Sequence, residues 1–184
     1  MTASQNNEIE TIKKELSKQI YKVSHQTGSF KLRSGRIADE YFDKYQFEAD
    51  PVLLDSIVRQ MVNLIPTDTE VLAGLELGGI PIVVLLSHYS GLPTAFVRKE
   101  AKKYGTARLT EGTHIGDRKV LIVEDVVSSG GQIAISASQL RQLGAQINCA
   151  LCVIDRQEGA VETLLDAGIA LVSLLKRDDF RGKV

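Results

Sequence analysis

The stretch Val120-Leu121-Ile122-Val123-Glu124-Asp125-Val126-Val127-Ser128-Ser129-Gly130-Gly131 decides the fold. Four branched apolar residues predict a buried strand, and two adjacent carboxylates follow at its carboxyl end. A short loop of small residues comes next, and Gln132 to Leu140 opens a helix. In an open α/β sheet, that strand-to-helix crossing is where ligands sit. Small residues let the backbone approach an anion, and free N–H groups at a helix start bind phosphate oxygens. Paired acids suit a ligand that also offers hydroxyl donors, so the ligand read from this stretch is a sugar phosphate.

Working outward, strands and helices alternate. Asp50-Pro51 predicts a helix through Leu64, with aspartate at the cap and proline at the first position. Val71–Leu75 reads as a strand, Gly78-Gly79-Ile80-Pro81 as a turn, and a helix then runs to about Tyr89. Thr94–Val97, Cys149–Asp155 and Ile169–Leu175 read as further strands, with a helix over Val161–Asp166. Such alternation predicts an α/β domain with a mainly parallel sheet covered by helices on both faces. Glu8–Val23 has helical periodicity, and Phe30–Arg33 alternates before a turn at Ser34-Gly35-Arg36. The stretch up to about residue 45 departs from the alternation and is expected to cap the sheet. Arg98–Arg118 is long, charged and polar, which suits either a functional mobile loop or a solvated surface hairpin.

Composition bounds the function. A chain of 184 residues with 43% hydrophobic and 24% charged residues can bury one proper core. Twenty-two basic residues against 23 acidic ones leave a net charge of −1, which disfavours a nucleic-acid binder. No secretory leader is expected behind the polar Met1–Asn7, and no apolar run is long enough to span a bilayer. Cys149 and Cys152 have C-x-x-C spacing, but they sit in a predicted buried strand and point to opposite faces. Without a second Cys/His pair they do not make a zinc site, and a reducing cytoplasmic location is expected. A nucleotide hydrolase would need a G-x-x-x-x-G-K-[ST] loop, which is absent.

The segment Val120–Gln132 resembles the ribose-phosphate motif of the type I phosphoribosyltransferases. Within that family, three segments resemble the orotate phosphoribosyltransferases: Phe96–Thr106, Ile154–Ala160, and the diphosphate-side loop Gly74–Pro81. The resemblance runs from about Phe30 to Leu175. It implies the type I phosphoribosyltransferase fold in a single domain over 1–184: a hood over about 1–45, and a core over about 46–184 with a mobile loop near 99–116. It also implies transfer from 5-phosphoribosyl 1-diphosphate (PRPP) to orotate in pyrimidine synthesis, with magnesium carried by substrate oxygens rather than by the protein. A cytoplasmic homodimer is implied, its loop reaching the neighbouring active site, with no nucleic-acid or membrane partner.

Roles follow by resemblance. Glu124 and Asp125 are expected to bind the ribose hydroxyls and stabilise the cationic sugar. Val126, Val127, Ser128, Ser129, Gly130, Gly131 and Gln132 are expected to hold the 5-phosphate. Arg33, Leu77, Gly78, Arg98, Lys99, Lys102 and Tyr104 are expected around the sugar diphosphate, with Lys102 catalytic. Tyr41, Phe42, Ser128 and Arg156 are expected to hold orotate, although from the residues alone Tyr41-Phe42 suits core packing and Arg156 a structural salt bridge. Three positions depart from the family pattern. Ala38-Asp39-Glu40 replaces Ser-Pro-Tyr, Gly78 stands where some members have lysine, and Tyr104 where some have histidine. Two acids in the hood would either repel an anionic base or face solvent. The alternatives are transfer to another nucleobase, or a non-catalytic PRPP-sensing regulator of the same fold.

Overall fold

The computed structural model describes residues 3–31, 35–100 and 109–180. The expected roles of Arg33, Lys102 and Tyr104 therefore lie outside the described residues. The chain opens with helix α1 (Ala3–Ser24), longer than the periodicity predicts, and an antiparallel hairpin of β1 (His25–Lys31) and β2 (Ile37–Phe42). Helix α2 (Tyr45–Ala49) leads into α3 (Pro51–Met61). Asp50 Oδ1 accepts from the N–H groups of Val52 and Leu53, both at 3.0 Å, so the predicted cap is formed. The α-helix stops at Met61, and the remainder to Leu64 tightens into a 3₁₀ turn.

The core elements are β3 (Val71–Leu75), α4 (Gly79–Ser90), β4 (Thr94–Val97), β5 (Thr110–Gly112), β6 (Val120–Val127) and α5 (Gly131–Gln142). They continue as β7 (Cys149–Asp155), α6 (Ala160–Asp166), β8 (Ala170–Lys176) and a 3₁₀ turn at Arg177–Phe180. The sheet order is β5-β4-β3-β6-β7-β8, parallel except for the β4–β5 pair. Two expectations are corrected here. The predicted turn at Gly78-Gly79-Ile80-Pro81 is mostly the first turn of α4. The strand at the centre does not end before the two acids but runs through them to Val127, because Glu124, Val126 and Val127 keep their pairing with β7.

The chain leaves β3 for β4 on one side and then returns to place β6 on the other. The carboxyl ends of β3 and β6 thus flank a topological switch point, the crevice where ligands bind in such sheets. Alternation along β6 divides the core: Leu121 and Val123 pack with α3 and α4, while Val120 and Ile122 pack with α5. Cys149 joins the first cluster and Cys152 the second, so the two thiols face opposite sides and are free. Ile57 and Leu72 are fully buried in the first cluster. Each such side chain contributes about 1.5–3 kcal/mol. No helix is long and apolar enough to cross a membrane among the described residues.

Candidate functional site

Two cavities meet at the carboxyl end of β6. The smaller, about 190 Å³, is walled by Glu124 and by the Val126–Ile133 segment. Gly130 adopts φ +77° there, which lets the chain turn into α5 without a Cβ penalty. The first N–H groups of α5 lack intrahelical partners by construction, so the loop is built to receive an anion. The expected phosphate residues from Val126 to Gln132 are all brought to this cavity.

The larger cavity, about 430 Å³, is lined by Tyr21, Tyr41, Phe42, Lys44, Val126, Ser128, Ile154, Arg156, Arg177 and Phe180. Tyr41, Phe42, Ser128 and Arg156 thus come together from three distant segments. Val126 and Ser128 line both cavities, so the phosphate loop and the aromatic cavity share a wall. The Arg156 N–H donates to the Val127 carbonyl at 2.8 Å, tying the loop after β7 to the end of β6. The Arg156 guanidinium lies 3.0 Å from Glu158. In the hood, Glu40 lies 3.4 Å from His25, and the His25 ring stacks on Tyr21 with centroids 4.5 Å apart.

The two adjacent acids do different things, because neighbouring strand residues face opposite ways. Asp125 is fully buried under the hood: Lys44 Nζ lies 2.6 Å from its Oδ2, and the Val126 N–H donates to its Oδ1 at 2.5 Å. Glu124 instead lines the smaller cavity, with a buried Oε2 that lacks a hydrogen-bond partner among the described residues. Burial, reinforced by the Asp125 charge, pushes the Glu124 carboxyl up to about 8. Glu48 on α2 is also buried; burial first, then its hydrogen bond with Asp125 and the Asp125 charge, push it up to about 9. Burial works to lower the Lys44 ammonium, but the hydrogen bond and charge of Asp125 outweigh it and hold Lys44 above its ordinary value. One lysine thus stands among three carboxyls, and the surplus negative charge is relieved by protons.

Gly78 and Gly79 are required by this crowding. A Cβ on Gly78 would lie 1.6 Å from Asp125 Oδ2, and one on Gly79 would lie 2.4 Å from the Val123 carbonyl oxygen. A lysine at 78 would collide with the Lys44–Asp125 arrangement. The neighbouring Leu77 is 61% exposed and follows a cis peptide bond from Glu76. Glu76 Oε1 accepts from the Lys99 N–H at 2.6 Å, so Lys99 is held beside the segment that joins β3 to α4. Arg98 turns instead toward Glu111 of β5, at 3.7 Å.

Lys44, Glu48, Glu76, Tyr21, Arg177 and Phe180 are not singled out in the sequence reading. Lys44 and Glu48 stand four apart, a helical pairing distance that could have pointed to them. The others come from elements whose packing on the site has no local signature.

A sequence model of the phosphoribosyl transferase domain matches residues 26–168. An orotate phosphoribosyltransferase from a Nocardioides species is 44% identical over 167 residues, covering 91% of this chain and 93% of the relative. One from Methanocella arvoryzae is 41% identical over 155 residues, covering 84% of this chain and 89% of the relative. The crystal structure of Mycobacterium tuberculosis orotate phosphoribosyltransferase with Fe(III) dicitrate superposes with a TM-score of 0.81 at 30% identity, covering 92% of this chain and 99% of that one. The sheet order, the phosphate loop at the switch point and these likenesses agree: the chain belongs to the orotate phosphoribosyltransferase family.

Proposed function

We infer that this protein transfers the phosphoribosyl group of PRPP to orotate, giving orotidine 5′-phosphate and diphosphate in pyrimidine synthesis. The observation that carries this reading is the shared wall at Val126 and Ser128. It sets an anion cradle beside an aromatic cavity with a guanidinium, as a donor phosphate and a flat anionic acceptor require. The structure of the Mycobacterium tuberculosis enzyme with PRPP, 26% identical with a TM-score of 0.78 over 92% of this chain and 98% of that one, supports PRPP as donor.

In the transfer, the bond from ribose C1 to the diphosphate oxygen breaks and its electron pair leaves with diphosphate. A ring nitrogen of orotate forms the new bond and loses its proton. The loop from Val126 to Gln132 holds the 5-phosphate. Glu124, which lines the cavity at the end of β6, accepts from ribose hydroxyls and stabilises positive charge on the sugar, as it ionises when a cation arrives. Asp125, sealed by Lys44, fixes the floor behind it. Lys99, beside Glu76, and Lys102 neutralise the leaving diphosphate. The Arg156 fork suits the orotate carboxylate, and Tyr41 and Phe42 wall the ring. Magnesium, carried by the donor, would neutralise diphosphate charge. Glu124, the acidic residue on the wall of the cavity at the end of β6, is the protein group that would meet its hydration shell.

The protein acts in the cytoplasm as a homodimer in which the loop after Arg98 reaches the partner's site. The deciding experiment is turnover with PRPP, magnesium and a panel of orotate, uracil, hypoxanthine and adenine. Orotate is expected to be consumed and the others spared. Turnover of another base without orotate would overturn the reading.

A further inference from the structure

Arg177 opens the 3₁₀ turn that follows β8, and its side chain lines the aromatic cavity together with Arg156 and Tyr41. The turn is pinned in place. The Asp178 N–H donates to Gln157 Oε1 at 3.1 Å, and Gln157 Nε2 donates back to Asp178 Oδ2 at 3.5 Å. The Lys176 N–H donates to Asp179 Oδ2 at 2.7 Å, and Phe180 meets Phe42 edge-on with centroids 6.2 Å apart. Gln157 directly follows Arg156, so this reciprocal clamp joins the loop carrying one guanidinium to the turn carrying the other.

Charge pairing around the cavity distinguishes the two. Arg156 is paired with Glu158, and Lys44 is paired with Asp125. In the hood, the Glu40 carboxylate lies 3.4 Å from His25 Nε2. Among the described residues, Arg177 has no ion-pair partner. Of the three basic residues that line this cavity, Arg177 is therefore the one not already ion-paired among the described residues, held there by contacts that do not use its guanidinium.

We propose that Arg177 is a specificity-determining residue for the acceptor, supplying with Arg156 a second guanidinium to the carboxylate of an anionic base. The proposal rests on the reading of orotate as acceptor. A planar fork matches a carboxylate, and exposure to solvent limits the gain to a modest factor.

The test uses the full chain, with Arg177→Gln, Arg177→Lys and Arg156→Gln. The probes are orotate as substrate and its neutral carboxamide analogue as competitive inhibitor. Arg177→Gln is expected to raise the KM for orotate about five- to tenfold. Turnover number, PRPP KM and carboxamide inhibition should stay within about twofold. Arg177→Lys should restore part of the loss. If Arg177→Gln lowers the melting temperature, Arg177→Lys compared at matched folding becomes the deciding variant. An unchanged orotate KM in Arg177→Gln, with a raised one in Arg156→Gln, would overturn the role of Arg177 and leave orotate as acceptor. Equal losses for orotate and carboxamide would mark Arg177 as structural and also overturn it. No wild-type turnover of orotate would overturn both readings.

Discussion

Replacing Gly78 with alanine adds one methyl group to the most crowded point of the site. Gly78 has φ −68°, so alanine suits the backbone and the consequence is purely steric. The new Cβ would stand 1.6 Å from Asp125 Oδ2, 2.3 Å from its Cγ and 2.9 Å from Glu48 Oε1. Asp125 cannot easily yield. Its backbone lies between Glu124 and Val126, both paired with β7, and its carboxylate is held by Lys44 at 2.6 Å and the Val126 N–H at 2.5 Å. Overpacking alone costs about 1–3 kcal/mol. Pushing Asp125 off Lys44 brings the cost of a broken buried ion pair, about 3–5 kcal/mol. The expected destabilisation is about 4 kcal/mol, a fall of roughly 8–16 °C in melting temperature for a domain of this size. Thermal melts of Gly78→Ala and of Gly91→Ala, followed by circular dichroism, measure it. Gly91 caps α4 at φ +73° with open space around its would-be Cβ, so its alanine variant should lose only about 1 kcal/mol of stability. Melting of Gly78→Ala within about 1 °C of wild type, with an unchanged KM for PRPP, would refute the packing described at Asp125.

Glu48→Gln tests the buried acid cluster. A carboxyl raised to about 9 in the folded state binds a proton that the unfolded chain releases above about 4.5, so wild-type stability falls as pH rises through that window. The variant should melt with wild type near pH 4.5 and exceed it by about 3 kcal/mol at pH 7; a difference independent of pH would refute this. Lys44→Met should cost about 3–5 kcal/mol at pH 7 by leaving Asp125 unpaired, as read by urea melts; equal stability to wild type at pH 7 would remove the ion pair from the account. Mixed Lys102→Ala and Glu124→Gln subunits, each inactive alone, should regain activity on subunit exchange, because one site of each hybrid holds both native groups. No recovery in verified hybrids would count against a loop acting on the partner's site.

The parallel core was legible because its strands are continuous apolar runs: the bounds of β3, β4 and β7 agree with those read from sequence. The β5 edge strand was not, since Thr110-Glu111-Gly112 has no apolar alternation and is a strand only through pairing with Ala95, Phe96 and Val97. The phosphate loop is local in sequence and could be read residue by residue. The division of labour between Glu124 and Asp125 could not. It depends on the strand continuing past them and on Lys44 and Glu48 arriving from the hood, long-range contacts that no window of sequence contains. Arg177 was missed for the same reason. It follows the last strand in a polar turn, and long-range contacts such as the Gln157–Asp178 clamp and the Phe42–Phe180 packing hold that turn at the cavity.

The burial of Asp125 beneath Lys44 bears on how this scaffold can be engineered. The hood is not an interchangeable cassette. A chimera that kept this core and took its first 45 or so residues from a relative lacking a basic group at position 44 would strand a sealed carboxylate. Grafts intended to change base preference should therefore carry Lys44 and Glu48 with the core, or replace Asp125 and Gly78 together with the hood they were shaped against.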